Sequence, residues 1–107
     1  MKIKRLVYLS IVLLTTQLAL AKMPFSNDMF GKMEATFDYC ARIDTPSAAK
    51  YQQRKKNLVK DVPDSEVAEA RKSDEYKTSY ESLTSEFPKM PKEDVNSACA
   101  AALQSKN

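Results

Sequence analysis

The sequence holds no histidine and a single glycine among its 107 residues. Without histidine, the commonest general base and the commonest metal ligand are missing. One glycine excludes collagen-like repeats, Gly-rich linkers and most turn-dense β architectures, and it leaves no Gly-rich loop to cradle a phosphate. Apolar and polar residues never alternate with period two for more than a few positions, so no strand is expected. Asp61-Val62-Pro63-Asp64-Ser65-Glu66 lacks the glycine and the alternating ligands of an EF-hand loop. No catalytic, cofactor-binding or metal-binding set is therefore assigned.

With 43% hydrophobic and 29% charged residues, the composition fits one soluble globular domain better than a disordered chain. Lys2, Lys4 and Arg5 precede a charge-free run from Leu6 to Ala21 that ends in Ala19-Leu20-Ala21, the small-x-small pattern of a signal-peptidase site. The run is shorter than the roughly 18 to 20 residues that cross a bilayer, and Thr15, Thr16 and Gln17 weaken its far end. No cysteine at its end could accept a lipid. The expectation is a cleaved signal peptide, residues 1–21, ahead of a single helical domain, residues 22–107. No stable membrane anchor would remain after cleavage.

Cleavage would remove three of the 17 basic residues and none of the 14 acidic ones, leaving 14 of each. That balance argues against a nucleic-acid binder, which needs a basic excess to displace counterions, and against a polybasic membrane-surface protein. Cys40 and Cys99 are an even pair in a small chain with an export signal, so one structural disulfide is expected. Their wide separation, without Cys-x-x-Cys spacing and without histidine, disfavours a redox or zinc role. A bridge closing so long a loop is worth about 4 kcal/mol by chain-entropy arguments.

Pro24, Pro46, Pro63, Pro88 and Pro91 fall at the edges of helical patterns and never inside one. The first pattern opens at Ser26-Asn27-Asp28 and carries Phe30, Met33, Phe37, Cys40 and Asp44 at steps of three and four, with Met29 and Ala41 beside them. Asp28/Lys32 and Asp38/Arg42 read as i,i+4 pairs on its wet side. Gly31 inside it is compatible with a close helix–helix approach. The second pattern starts at Thr45-Pro46 and carries Ala48, Tyr51, Leu58, Val59 and Val62, with its apolar stripe thin across Gln52–Asn57. The third runs from Asp64-Ser65 to Phe87, with Val67, Ala68 and Ala70 and then Tyr76, Tyr80, Leu83 and Phe87; its drift near Lys72 allows a bend or a restart at Ser73. The fourth follows Pro91 with Val95, Ala98, Cys99, Ala102 and Leu103 on one face. These patterns predict an all-α fold, a small four-helix up-down bundle stapled by the disulfide.

Ser73 beside Lys72 and Asp74 reads as an N-cap rather than a Ser/Lys nucleophile, and Glu66/Glu69 and Asp74/Glu75 as first-turn acids that suit the helix dipole. The chain is accordingly not expected to be an enzyme. The most uneven charge feature is Arg54-Lys55-Lys56 with Lys50 and Lys60. Asp64, Glu66 and Glu69 are expected to pair with Lys60 and Lys56 across a hairpin, and at least one cation of the run would point elsewhere. Arg54, Lys55 and Lys56 are the candidate partner-binding residues. Tyr76 and Tyr80 join them as an amphipathic patch if they are not core. These features imply a small exported protein, periplasmic in a Gram-negative bacterium or else extracellular. It would act by binding another protein or an envelope component, as an inhibitor or immunity protein, a chaperone or an adaptor. A secreted effector or toxin-like protein is the alternative.

Overall fold

Ser26 starts the first helix by holding an extended backbone while its Oγ accepts the Met29 N–H at 3.1 Å, satisfying one of the donors that a helix start leaves open. The computed structural model describes residues 23–104, so the expected signal peptide at 1–21 lies outside the described residues. From Ser26 the chain runs through α1 (Asn27–Ile43), a 3₁₀ turn (Thr45–Ser47), α2 (Ala48–Leu58), α3 (Asp64–Lys72), α4 (Asp74–Glu86), a second 3₁₀ turn (Phe87–Lys89) and α5 (Lys92–Gln104). Among the described residues the fold is all-α.

The helix count and one boundary differ from the sequence reading, while the restart it allowed at Ser73 is found. The third pattern is two helices, so the described residues hold five α-helices rather than four. Ser73 is the break: its backbone is extended (φ −69°, ψ 151°), its Oγ accepts the Tyr76 N–H at 3.2 Å, and its hydroxyl donates to the Ala70 carbonyl at 2.8 Å. One side chain thus ends α3 and caps α4. The second difference is that Thr45-Pro46 opens a 3₁₀ turn, and α2 stops at Leu58 rather than at Val62. Only Tyr51 and Leu58 of α2 are buried, too thin a stripe to hold a further turn against the core.

The first helix is the spine. It packs against each of the other four, most extensively against α4. Pairings of Asp44 with Tyr51 and Asp38 with Lys55 set α2 antiparallel to it. Gly31 against Tyr76 and Tyr39 against Phe87 set α4 parallel. The core joins Phe30, Phe37, Cys40, Tyr51, Leu58, Val67, Ala70, Tyr76, Phe87, Val95 and Cys99. The Phe30 and Tyr76 rings are 5.3 Å apart and tilted, and those of Tyr39 and Phe87 are stacked at 4.7 Å, both favourable aromatic geometries.

Gly31 has a specific reason to be glycine. A Cβ there would lie 2.5 Å from the Tyr76 carbonyl oxygen, so the two helix backbones meet where no side chain intervenes. Cys40 near the end of α1 and Cys99 in α5 form the expected disulfide, with Cα atoms 5.7 Å apart. Met29, expected beside the apolar stripe, is 46% exposed. No helix among the described residues is long and apolar enough to cross a membrane.

Candidate functional site

Glu34 lies on the apolar stripe of α1, one turn after Phe30 and one before Phe37, and is 0% exposed. A carboxylate taken out of water needs partners, and two helices supply them. Arg71 near the end of α3 donates from Nε to Oε1 at 2.9 Å and from Nη2 to Oε2 at 2.6 Å, a bidentate pair. Tyr76 on α4 donates its hydroxyl to Oε1 at 2.5 Å. The Arg71 guanidinium also stands over the Phe30 ring, 5.6 Å from its centroid.

One turn further along α1 the same arrangement recurs. Asp38 accepts from Lys55 of α2, with Nζ at 2.8 Å from Oδ1 and 3.1 Å from Oδ2, and from Gln52 Nε2 at 3.3 Å. The Tyr80 hydroxyl of α4 donates to Oδ2. Glu34 and Asp38 are four residues apart on α1, Tyr76 and Tyr80 four apart on α4, and each carboxylate takes one tyrosine and one cation. The stacked Tyr76 and Tyr80 rings, 5.8 Å apart, form the wall between the two sites. At the α1 start, Asp28 accepts from the Ser79 hydroxyl, and at its end Asp44 accepts from Tyr51 at 3.2 Å.

The electrostatics follow. Burial, reinforced by the hydrogen bond to Glu34, pushes the Tyr76 phenol far above its ordinary range. The same two causes, with Asp38 as acceptor, push Tyr80 up to about 12. Burial opposes ionisation of Asp38, but hydrogen bonds from Lys55 and Tyr80 outweigh it and hold the carboxyl below the usual range. The Glu34 hydrogen bond raises Arg71 despite partial burial. At neutral pH Tyr76 and Tyr80 are therefore neutral phenols and Asp38 is ionised, and with Arg71 their hydrogen bonds tie α1 to α2, α3 and α4.

The candidate residues read from sequence are not gathered on one surface. Arg54 turns to α5, where Nη2 donates to the Leu103 carbonyl. Lys55 turns to α1 and Asp38. Tyr76 is buried and Tyr80 half-buried, both facing α1, so they are core with a polar tip. Lys56 alone of the cationic run is exposed. It lines an open cleft of about 440 Å³ with Gln52, Lys55, Val59, Lys60, Val62, Asp64 and Arg71. The pairing expected between Lys56 or Lys60 and the acidic start of α3 is not formed among the described residues, where the ion pairs are Lys32–Asp28, Lys55–Asp38 and Arg71–Glu34. Asp38, read as a partner of Arg42 on the wet side, instead faces α2 and α4, while Arg42 lies over the Tyr39 ring.

Comparison with protein-family models, curated proteins and solved structures finds no match. The functional reading therefore stands on the residues themselves. Glu34, Asp38 and Arg71 were missed as an interacting set. The available signal was Glu34 itself, a carboxylate at a position where the i, i+4, i+7 stripe calls for an apolar side chain.

Proposed function

We propose that this chain is a small exported helical protein that acts by binding another macromolecule and catalyses no reaction. In this reading residues 1–21 are a signal peptide and the rest is an α-helical bundle delivered to the periplasm, where it serves as an inhibitor or immunity protein, a chaperone or an adaptor. The observation that carries it is the division of labour among the charged groups. Glu34, Asp38, Arg71, Lys55, Tyr76 and Tyr80 are engaged with one another across four helices, while Lys56 and Lys60 stand exposed along an open cleft. The Cys40–Cys99 disulfide is consistent with an oxidising compartment.

The test is crosslinking in the envelope of a host expressing the full chain, with a photoreactive residue at Lys56 and, as control, at Glu81 on the exposed outer side of α4. One dominant adduct from Lys56 that also forms from the purified pair supports the reading. A chain retained in the cytoplasm, or a purified protein that turns over a substrate, refutes it.

A further inference from the structure

We infer that the cleft between the end of α2 and the start of α3 is a carboxylate-recognition site that takes an acidic side chain, together with the apolar residues beside it, from a partner protein. The inference rests on the binding role proposed above and names the surface and the chemistry.

Four cations border this cleft, and they differ in what stands behind them. Lys55 and Arg71 are backed by Asp38 and Glu34. Arg71 uses Nε and Nη2 on Glu34, so its Nη1 donors lie outside that pair, and its side chain remains 43% exposed. Lys56 and Lys60 are exposed and make no ion pair among the described residues, although Asp64 lies on the same rim. Lys56 near the end of α2 and Lys60 in the turn that follows are like charges bordering one cleft, a repulsion that a shared anion would relieve. The fold places them together by stopping α2 at Leu58 and turning the chain through Val59–Val62, with the Val62 N–H bonded to the Val59 carbonyl at 3.0 Å.

The lining narrows the class of ligand. Val59 and Val62 are half-buried, so part of the wall is apolar. Asp64 on the rim would repel a multiply charged phosphate more strongly than a single carboxylate. A volume of about 440 Å³ exceeds what one carboxyl group fills and suits an acidic side chain with an apolar neighbour. Such a contact lies at an exposed rim, where charge pairs act mainly on association rate and specificity.

The test uses the oxidised protein recovered from a host expressing the full chain. Chemical-shift mapping follows titration with a soluble peptide carrying two Glu residues flanked by Val, and with the same peptide carrying Gln instead. Expected are shifts centred on Val59, Val62 and Arg71, binding of the Glu peptide at least about tenfold tighter than the Gln peptide, and weakening of several-fold as salt rises from about 50 to about 300 mM. Lys56→Glu with Lys60→Glu should abolish the difference between peptides at an unchanged thermal midpoint, and Lys50→Glu should leave it in place. Equal binding of the two peptides, shifts centred elsewhere, or no binding up to about 10 mM overturns the inference. Tighter binding of inorganic phosphate or of phosphatidylglycerol vesicles at the same residues also overturns it, by assigning the cleft to phosphate. If the crosslinked partner is still captured by the double variant, the cleft assignment falls while the binding role stands. If the peptide binds as expected but no partner is found, the reverse holds.

Discussion

Along the seam between α1 and α4, Gly31 lets two backbones touch, and two carboxylates enter the interior with a tyrosine and a cation each. The α2–α3 corner, one helix away, contributes only Tyr51, Leu58, Val67 and Ala70 to the core, and its lysines stand along an open cleft. Both regions are rich in charge. What separates them is desolvation: Glu34, at 0% exposure, is tolerable only with a fixed set of donors, so its partners are dictated by the packing. Lys56 and Lys60 remain in water and are bound by no such requirement. Charge inside this protein holds the helices together, and charge at the corner stays exposed to solvent along the cleft.

The sharpest way to break the seam is to cut its staple. Reduction of Cys40–Cys99, or Cys40→Ala with Cys99→Ala, frees α5 from α1 and should lower stability by about 4 kcal/mol, read as a fall in the urea midpoint with a slope that rises as the unfolded chain loses its cross-link. A midpoint that does not move would show that α5 is held by packing alone.

Next in size is Arg71→Ala. It leaves the Glu34 carboxylate buried without its cation, and the cost should be about 3 kcal/mol, at the low end for a buried pair because Arg71 is 43% exposed and water can enter behind it. Adding Glu34→Gln keeps an acceptor for Tyr76 and removes the stranded charge, so the double variant should recover part of the loss. No recovery would mean that Arg71 acts through its stacking on Phe30 rather than through charge.

Gly31→Ala sharpens the contact between backbones. Elsewhere in a helix this change gains up to about 1 kcal/mol, but here the new methyl meets the Tyr76 carbonyl, and a net loss of about 1 to 3 kcal/mol is expected by thermal unfolding. A stabilised variant would show that α1 and α4 slide apart freely.

Alkaline pH tests the tyrosine ladder. Tyr80 has a folded pKa raised to about 12 from an ordinary value of about 10. Its contribution is therefore fully present below pH 10 and is lost as pH rises from about 10 through 12. Tyr80→Phe should flatten part of that decline in a series of denaturation midpoints, and an unchanged slope would place the phenol outside the coupling.

The smallest effects separate the two lysines. Lys55→Ala removes the partner of Asp38 and should cost up to about 1 kcal/mol, whereas Lys56→Ala should stay within about 0.5 kcal/mol. Equal costs would erase the distinction between structural and available charge.

Much of the fold was legible because local rules and burial agree. Ser26 caps α1 as its position before an apolar stripe suggests, the prolines mark element edges, and Ser73 does restart the helix. Phe30, Phe37, Tyr51, Tyr76 and Phe87 are buried at their expected spacing. The site was less legible. Asp38 and Arg42 satisfy the i,i+4 rule for a surface pair, yet α2 and α4 cover Asp38 and replace its neighbour with Lys55 and Tyr80. Asp64 at the start of α3 is close in sequence to Lys56 and Lys60, but the turn through Val59–Val62 sets them around a cleft with no ion pair among them.

The sequence by itself determined the helical class, the cysteine pair and the capping residues, because each depends on one residue or on periodicity along one element. Tertiary structure alone decided the partners of Glu34 and Asp38, the need for glycine at 31, and which lysines remain in water. Those outcomes depend on which helix face meets which, and desolvation then fixes the hydrogen bonds that must form there.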